Sequence, residues 1–232
     1  MANKPNINPE NIGAGLGELK SRLLFLLFAL FVYRIGTHIP VPGIDPLQLQ
    51  AFFDQNEGTF AGLFNMFSGG ALERMSIVAL GIMPYISASI IMQLLTAVSP
   101  QLDQLKKEGE SGRRKITQYT RYGALALATV QGTGMTVGLL SPIAYNPGLA
   151  FNLTAIISLV TGAMFLMWLG EQITEKGIGN GISMLIFAGI VALFPAAIGS
   201  SLTQAYEGQI SGVLLLIVGL IAVAVVAGIV YV

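Results

Sequence analysis

Long apolar runs alternate with short polar stretches along most of this chain. An α-helix rises about 1.5 Å per residue, so about 20 apolar residues cross a hydrocarbon core of roughly 30 Å. Six runs have nearly that length or more, and we therefore predict an all-α membrane protein, a polytopic bundle of transmembrane helices. The predicted spans are residues 23–39, 75–98, 119–140, 149–169, 182–200 and 210–232.

One further apolar stretch, "TFAGLFNMFSGG" at residues 59–70, is too short to cross the membrane. Its large apolar side chains recur at i, i+3, i+4 and i+7 and therefore share one helix face, and two glycines follow as a stop signal. The residues alone allow an interfacial helix on the outer surface or a half-helix folded into the membrane. The apolar side chains are Phe60, Leu63, Phe64 and Phe67, and the glycines are Gly69 and Gly70.

Composition strengthens the membrane assignment. The chain has 232 residues and a mean hydropathy of +0.71, with 53% hydrophobic and only 10% charged residues. Soluble domains usually carry about 25% charged residues. The absence of cysteine excludes a disulfide framework and any thiolate metal or redox site.

The basic residues predict the orientation. Ten of the twelve fall on one side of the membrane if the six spans alternate, and only Arg34 and Arg74 fall on the other. The positive-inside rule then places the amino terminus and the loop "KKEGESGRRK" in the cytoplasm. The basic residues of this predicted cytoplasmic loop are Lys106, Lys107, Arg113, Arg114, Lys115 and Arg121.

Chemistry for catalysis or ion coupling is missing from the predicted spans. The only histidine, His38, lies at the outer edge of span one, and no aspartate lies inside any span. Aspartyl dyads and HExxH zinc sites are therefore excluded, and ion-coupled transport lacks the mid-membrane charge it usually needs. We expect no enzyme, cofactor or metal site. A passive passage, an uncoupled small-solute carrier and a scaffold for other subunits remain open.

Isoleucines recur every four residues in spans two and five, so each span presents them on one face. Such a stripe either faces lipid or forms a hydrophobic constriction that excludes water and ions. In span two, Gly81 and Pro84 are expected to loosen the helix. The stripes include Ile82 and Ile86 in span two and Ile182 and Ile186 in span five.

Polar side chains within spans two and three also allow both a packing role and a functional role. They either bond a neighbouring helix as ordinary packing contacts or line a movable seam. These side chains are Ser87, Gln93 and Gln131.

Several long motifs in this chain resemble the bacterial SecY family, the central subunit of the general protein-secretion channel. The resemblance runs from "GLGELKSRLLF" to the end of the chain. The motifs are "NMFSGGAL", "GIMPYISASIIMQLL", "KKEGESGRRKITQYTRYG", "MFLMWLGEQITEKGIGNGIS" and "IFAGIV".

The resemblance implies a domain plan. The family has ten spans in two pseudo-twofold halves of five, so the chain is expected to hold the first half and the sixth span of a longer protein. Residues 1–22 would form a cytoplasmic segment, 23–200 the five-span half, and 201–232 a periplasmic loop and the sixth span. The short segment, about 59–73, would be the plug that seals the channel from outside, with Gly69 and Gly70 as its hinge.

The resemblance also implies function and partners. Ile82, Ile86, Ile182 and Ile186 map onto the pore ring, and the lateral seam opens between spans two and three of this half and spans seven and eight of the other. Unfolded polypeptides would pass through the ring, and hydrophobic segments would leave sideways into lipid. Expected partners are the membrane subunits SecE and SecG, the motor ATPase SecA, a translating ribosome with rRNA at the basic loop, signal peptides and nascent chains, and lipids of the bacterial inner membrane.

Overall fold

The computed structural model describes residues 9–55, 65, 68–208 and 210–231. Its regular elements within these ranges are all helices, with two isolated β-bridges and no strand among the described residues. The all-α prediction is confirmed. The helices are α1 (Pro9–Gly36), α2 (Pro46–Gln55), α3 (Met83–Val98), α4 (Pro100–Lys107), α5 (Glu110–Met135), α6 (Leu149–Lys176), α7 (Gly181–Tyr206) and α8 (Gly212–Tyr231), and α5 continues through a π-helical turn (Thr136–Leu140) and a 3-10 turn (Ser141–Ile143).

Local signals explain several helix starts. Proline occupies the first turn of α3 and of α4, where its missing N–H would have no intrahelical partner in any case. The side chain of Asn180 begins α7 by accepting the backbone N–H groups of Ile182 at 3.0 Å and Ser183 at 3.2 Å.

The number of helices that length and composition alone identify as spans is smaller than predicted. Length and composition give four among the described residues, namely α5 with its extension, α6, α7 and α8, or five if α3 and α4 count as one span bent by 100°. The count of six spans, which includes α1, stays a prediction. The last 18 residues of α1 contain Lys20, Arg22 and Arg34, which interrupt its apolar run.

The predicted second span, residues 75–98, is wrong at its start. The helix begins at Met83, and residues 68–82 form consecutive turns. Three glycines in these turns have left-handed φ angles, +67° at Gly69, +81° at Gly70 and +59° at Gly81, which a helix cannot contain. We call residues 68–82 the buried ribbon.

The chain divides into two compact units, Met1–Ile190 and Val191–Val232. In the first unit, side chains of the buried ribbon alternate between two hydrophobic clusters: Leu72 and Met75 belong to one, and Ala71 and Val78 to the other. Helix α6 contributes to both clusters. In the second unit no described side chain of α8 is buried. The domain boundaries expected at residues 22 and 200 stay predictions.

Candidate functional site

The buried ribbon has its backbone satisfied by protein. The N–H of Val41 donates to the carbonyl of Met75 at 2.8 Å, and the N–H of Ile77 donates to the carbonyl of Ile39 at 2.9 Å. Irregular backbone at membrane depth is tolerated only where protein or a water-filled cavity surrounds it. The ribbon meets that requirement by pairing with the chain that follows α1.

Glycines let two helices approach the ribbon closely. A Cβ on Gly69 would lie 2.9 Å from the Cα of Gly189 in α7, and a Cβ on Gly162 in α6 would overlap the carbonyl oxygen of Ile77. Both contacts are between backbones. Helices α6 and α7 can pack this tightly only because these positions have no side chain.

Two side chains of α1 hold the beginning of the ribbon. The hydroxyl of Tyr33 donates to the carbonyl of Ser68 at 3.2 Å, and Nη1 of Arg34 donates to the carbonyl of Gly69 at 2.8 Å. We call these two hydrogen bonds the anchor. Because one donor is a guanidinium, the bond from Arg34 is of the stronger, charge-assisted kind.

The segment expected to form the plug is described only at Asn65 and from Ser68 onward. The side chain of Asn65 accepts the backbone N–H of Glu73 and donates to its carboxylate, both at 3.0 Å, so it closes the turns around Gly69 and Gly70. These two glycines have the left-handed φ expected where a helix stops. Their role as a hinge stays a prediction, and four expected plug residues lie outside the described residues: Phe60, Leu63, Phe64 and Phe67.

The isoleucines predicted for the pore ring share one hydrophobic cluster. Ile82 is buried, and the three others are half-buried and pack against the same hydrophobic cluster, which also contains Ala71, Val78 and Leu185. Each isoleucine stripe is buried only in part, because its next members, Ile90 in α3 and Ile190 in α7, are exposed. The structure thus places Ile82, the last residue of the buried ribbon, in one cluster with Ile86 of α3 and with Ile182 and Ile186 of α7, while their role as a ring stays a prediction.

The predicted seam residues lie on α3 and α5. Ser87 is half-buried, and Gln93 and Gln131 are exposed. Nε2 of Gln93 donates to the hydroxyl of Ser89 one turn earlier on its own helix, at 3.3 Å, and so does not join two helices through that bond. The seam role of these three residues stays a prediction.

The predicted basic loop is not a loop. Lys106 and Lys107 belong to α4, and Arg113, Arg114, Lys115 and Arg121 belong to α5, with only residues 108–109 between the two helices. The turn is tight because Gly112 meets the carbonyl of Leu105, where any Cβ would overlap it. The charge pattern alone predicts a solvated loop. Pro100 in the first turn of α4 and Gly109 after the end of that helix are signals of a helical hairpin.

An ion pair between α5 and α6 has no local signal in the sequence. Arg121 donates to both carboxylate oxygens of Glu171, from Nε at 2.9 Å and from Nη2 at 2.7 Å. This two-point geometry fixes the relative position of the two helices beyond what a single bond would fix.

His38 has a structural role at the outer end of α1. Its Nδ1–H donates to the carbonyl of Arg34 at 2.8 Å, and its Nε2 accepts Nη1 of Arg74 at 2.9 Å. Among the described residues, no group of three or more acidic or histidine side chains could hold a metal ion.

A sequence model of the SecY family matches residues 76–232. The chain belongs to the SecY family. Two curated relatives in this family carry the description "Protein translocase subunit SecY". The one from Pseudomonas aeruginosa is 66% identical over 219 residues, covering 94% of this chain and 50% of the relative. The one from Escherichia coli is 57% identical over 237 residues, covering 100% of this chain and 54% of the relative. The chain spans about half the length of these SecY relatives.

Solved structures show the same fold at lower identity. A structure described as a protein conducting channel matches with a TM-score of 0.60 and 22% identity. The match covers 84% of this chain and 42% of the chain in that structure. A SecY structure matches with a TM-score of 0.56 and 20% identity, and the match covers 82% of this chain and 41% of the chain in that structure. Its description says that the plug domain of that protein stabilises the closed state of the channel and maintains a membrane seal. The fold is that of the SecY-type channels.

Proposed function

We propose that this chain is the N-terminal portion of the central, pore-forming subunit of a protein-conducting channel in the bacterial inner membrane. The observation that carries the proposal is that isoleucines from the end of the anchored ribbon, from α3 and from α7 share one hydrophobic cluster. Membership of the SecY family supports the same function. The substrates are unfolded polypeptides and their signal peptides.

Two elements keep ions from crossing the closed channel in this proposal. Ile82, Ile86, Ile182 and Ile186 contribute one half of an apolar ring, which excludes water by dewetting. The segment of about residues 59–73, which includes the beginning of the buried ribbon, is the plug, and the anchor holds it at Ser68 and Gly69. Apolar, conformable side chains suit the ring because they close around a passing chain of any sequence without binding it.

Lateral release uses α3 and α5. Their exposed polar groups, Gln93 and Gln131, lie on surfaces that would otherwise favour lipid, which is consistent with a seam that hydrophobic segments use to reach the bilayer. Ser87 belongs to the same helix as Gln93.

Energy and assembly come from partners in this proposal. The channel is passive, so a motor ATPase of the SecA type or a translating ribosome supplies the driving force, and membrane subunits of the SecE and SecG type complete the complex. One solved relative of this fold is a canine ribosome–channel complex from the endoplasmic reticulum. The distribution of basic residues supports an amino terminus in the cytoplasm.

The ring is tested by changing Ile86 and Ile186 together to Asn in the complete channel, reconstituted with its other spans and subunits. Polar side chains let water persist in the constriction, so we expect a higher resting ion conductance in planar bilayers while polypeptide transport continues. The matched control is Ile221→Asn in α8, which is exposed at 57% and lies outside the isoleucine cluster. An unaltered conductance in assembled channels, or an equal rise in the control, would show that these isoleucines only pack.

A further inference from the structure

A cavity of about 570 Å³ opens between the chain that follows α1, helix α2 and the buried ribbon. Its floor contains Val41, exposed at 2%, and Leu49, exposed at 7%, and half-buried Ile44 and Phe53 form its walls. A cavity with an apolar body and a few converging polar groups is the usual form of a ligand site. We call this cavity the outer pocket, and the polar side chains on its exposed rim are His38, Gln50, Glu73 and Arg74.

Backbone pairing holds the outer pocket in shape. Residues 39–45 pair with the ribbon on one side and with the end of the α5 extension on the other, where the N–H of Asp45 donates to the carbonyl of Ile143 at 3.0 Å. Ile143 lies at the opposite end of α5 from the α4–α5 turn, so the pocket lies on the predicted outer side of the membrane. The fixed φ angles of three prolines stiffen the rim, and a ligand therefore need not order it: these are Pro40, Pro42 and Pro46.

Arg74 presents unused donors at the rim. Its Nη1 donates to Nε2 of His38 at 2.9 Å, and within the described part of the chain no carboxylate lies within 4 Å of its guanidinium. The Nε and Nη2 groups form one side of the planar guanidinium and can hold a carboxylate at two points while the contact with His38 is kept. Arg121 binds Glu171 through the same two nitrogens elsewhere in this chain.

Glu73 presents the opposite kind of group beside Arg74. Its Oε2 accepts Nδ2 of Asn65 at 3.0 Å, and its Oε1 has no hydrogen-bond partner among the described residues. The pocket thus offers an acceptor, a guanidinium and an apolar floor close together. The last residue of a polypeptide carries the three matching groups, namely a peptide N–H, a carboxylate and a side chain. A fatty acid lacks the N–H and would bring a like charge to Glu73 without that compensation.

We propose that the outer pocket binds the carboxyl-terminal residue of a polypeptide when that residue has an apolar side chain. Nε and Nη2 of Arg74 hold the terminal carboxylate, and Oε1 of Glu73 accepts the last peptide N–H. The apolar side chain lies over Val41 and Leu49. The partner is a polypeptide with a free, apolar C-terminus on the outer side of the membrane, and its binding does not depend on whether the channel conducts.

The test measures binding of the fluorescein-labelled peptide Gly-Ser-Gly-Ala-Ala-Leu to the complete channel complex in mild detergent, by fluorescence anisotropy. Three analogues each lack one group: a C-terminal amide lacks the charge, an ester in place of the last peptide bond lacks the N–H, and a terminal glycine lacks the side chain. A hydrogen bond to a charged group contributes about tenfold or more in affinity, so the amide and the ester should each bind about tenfold or more weakly. Burial of a leucine side chain contributes a similar factor, so the peptide ending in glycine should also bind about tenfold or more weakly.

Matched variants of the protein assign the preference to Arg74. Arg74→Gln should weaken binding of the peptide acid about tenfold or more, so that the acid and the amide bind alike. Arg74→Lys keeps the charge without the planar fork and should retain part of the preference for the acid. The control Arg114→Gln removes the same charge at a side chain that is 80% exposed and outside the pocket, and it should change each affinity by no more than about twofold. The unfolding temperature of each variant is measured in the same samples, so that loss of fold is distinguished from loss of the site.

Four results would overturn the proposal. Absence of binding at millimolar peptide, or equal affinity for the acid and the amide, would show that the pocket does not recognise a terminal carboxylate. An equal loss in Arg74→Gln and Arg114→Gln would assign the effect to general charge. Displacement of the labelled peptide by decanoate as effectively as by unlabelled peptide would assign the pocket to a fatty acid.

Discussion

Replacing Gly69 by alanine tests how tightly the buried ribbon is held against α7. Gly69 has a φ of +67°, and an L-residue in the left-handed region costs about 1–2 kcal/mol. The new Cβ would also lie 2.9 Å from the Cα of Gly189 and 3.2 Å from the hydroxyl of Tyr33. A helix backbone cannot rotate away as the end of a side chain can, so either the ribbon or α7 must shift.

The cost of that shift adds to the backbone strain. Overpacking a close contact costs about 1–3 kcal/mol, so Gly69→Ala should destabilise the fold by about 2–5 kcal/mol in total. Gly81→Ala is the matched control, because Gly81 has a similar φ of +59° but a Cβ there would meet nothing within 4 Å. It should lose only the backbone term of about 1–2 kcal/mol.

The assay is the free energy of unfolding of the three proteins in the same mild detergent. The difference between the two variants isolates the contact with Gly189 from left-handed strain. If the ribbon is the proposed end of the plug, Gly69→Ala should also raise the resting ion conductance of the complete channel more than Gly81→Ala does. Equal destabilisation by the two variants would refute the close contact as a source of stability.

Three further predictions address the anchor, the orientation and the ion pair. Arg34→Gln removes the charged donor of the anchor and should reduce the free energy of unfolding by about 1.5 kcal/mol or more. An unchanged free energy of unfolding would show that the anchor does not stabilise the fold. A reporter active only outside the cytoplasm should work when fused at Asn146 and fail at Gly112, and the reverse pattern would overturn the charge argument. A double-mutant cycle on Arg121 and Glu171 should give a coupling of about 0.5–1 kcal/mol that decreases with added salt, and a coupling of zero would show that the pair is merely adjacent.

The beginning of span two shows how a correct signal can be misinterpreted. Apolar composition predicts a span from residue 75, and Pro84 was expected to loosen that helix. The structure uses the proline in the first turn of α3, which begins at Met83. Proline marks a helix start at least as well as a kink, and Gly81 just before it takes a left-handed φ. Hydropathy cannot separate a buried irregular segment from a helix, because both are apolar.

The sequence predicts only the local part of the isoleucine cluster. The four-residue spacing identifies the helix face within α3 and within α7, which is a local property. Which faces meet depends on packing between residues about 100 positions apart, and only the family resemblance linked them. The anchor had no signal of any kind, because the bond from Arg34 to Gly69 joins positions 35 residues apart and ends on a backbone carbonyl.

The buried ribbon has a consequence for how the protein is made. Helix α3 has 16 residues and rises about 24 Å, less than the roughly 30 Å of hydrocarbon, so the irregular peptide before it must occupy part of the membrane. Irregular backbone is not stable when it is exposed to lipid, because its N–H and carbonyl groups would have no hydrogen-bond partners. Its close neighbours are Gly162 of α6 and Gly189 of α7, which leave the ribosome about 80 to 120 residues later. The membrane crossing that contains α3 is therefore completed only after α7 has been synthesised, and the order of folding differs from the order of translation.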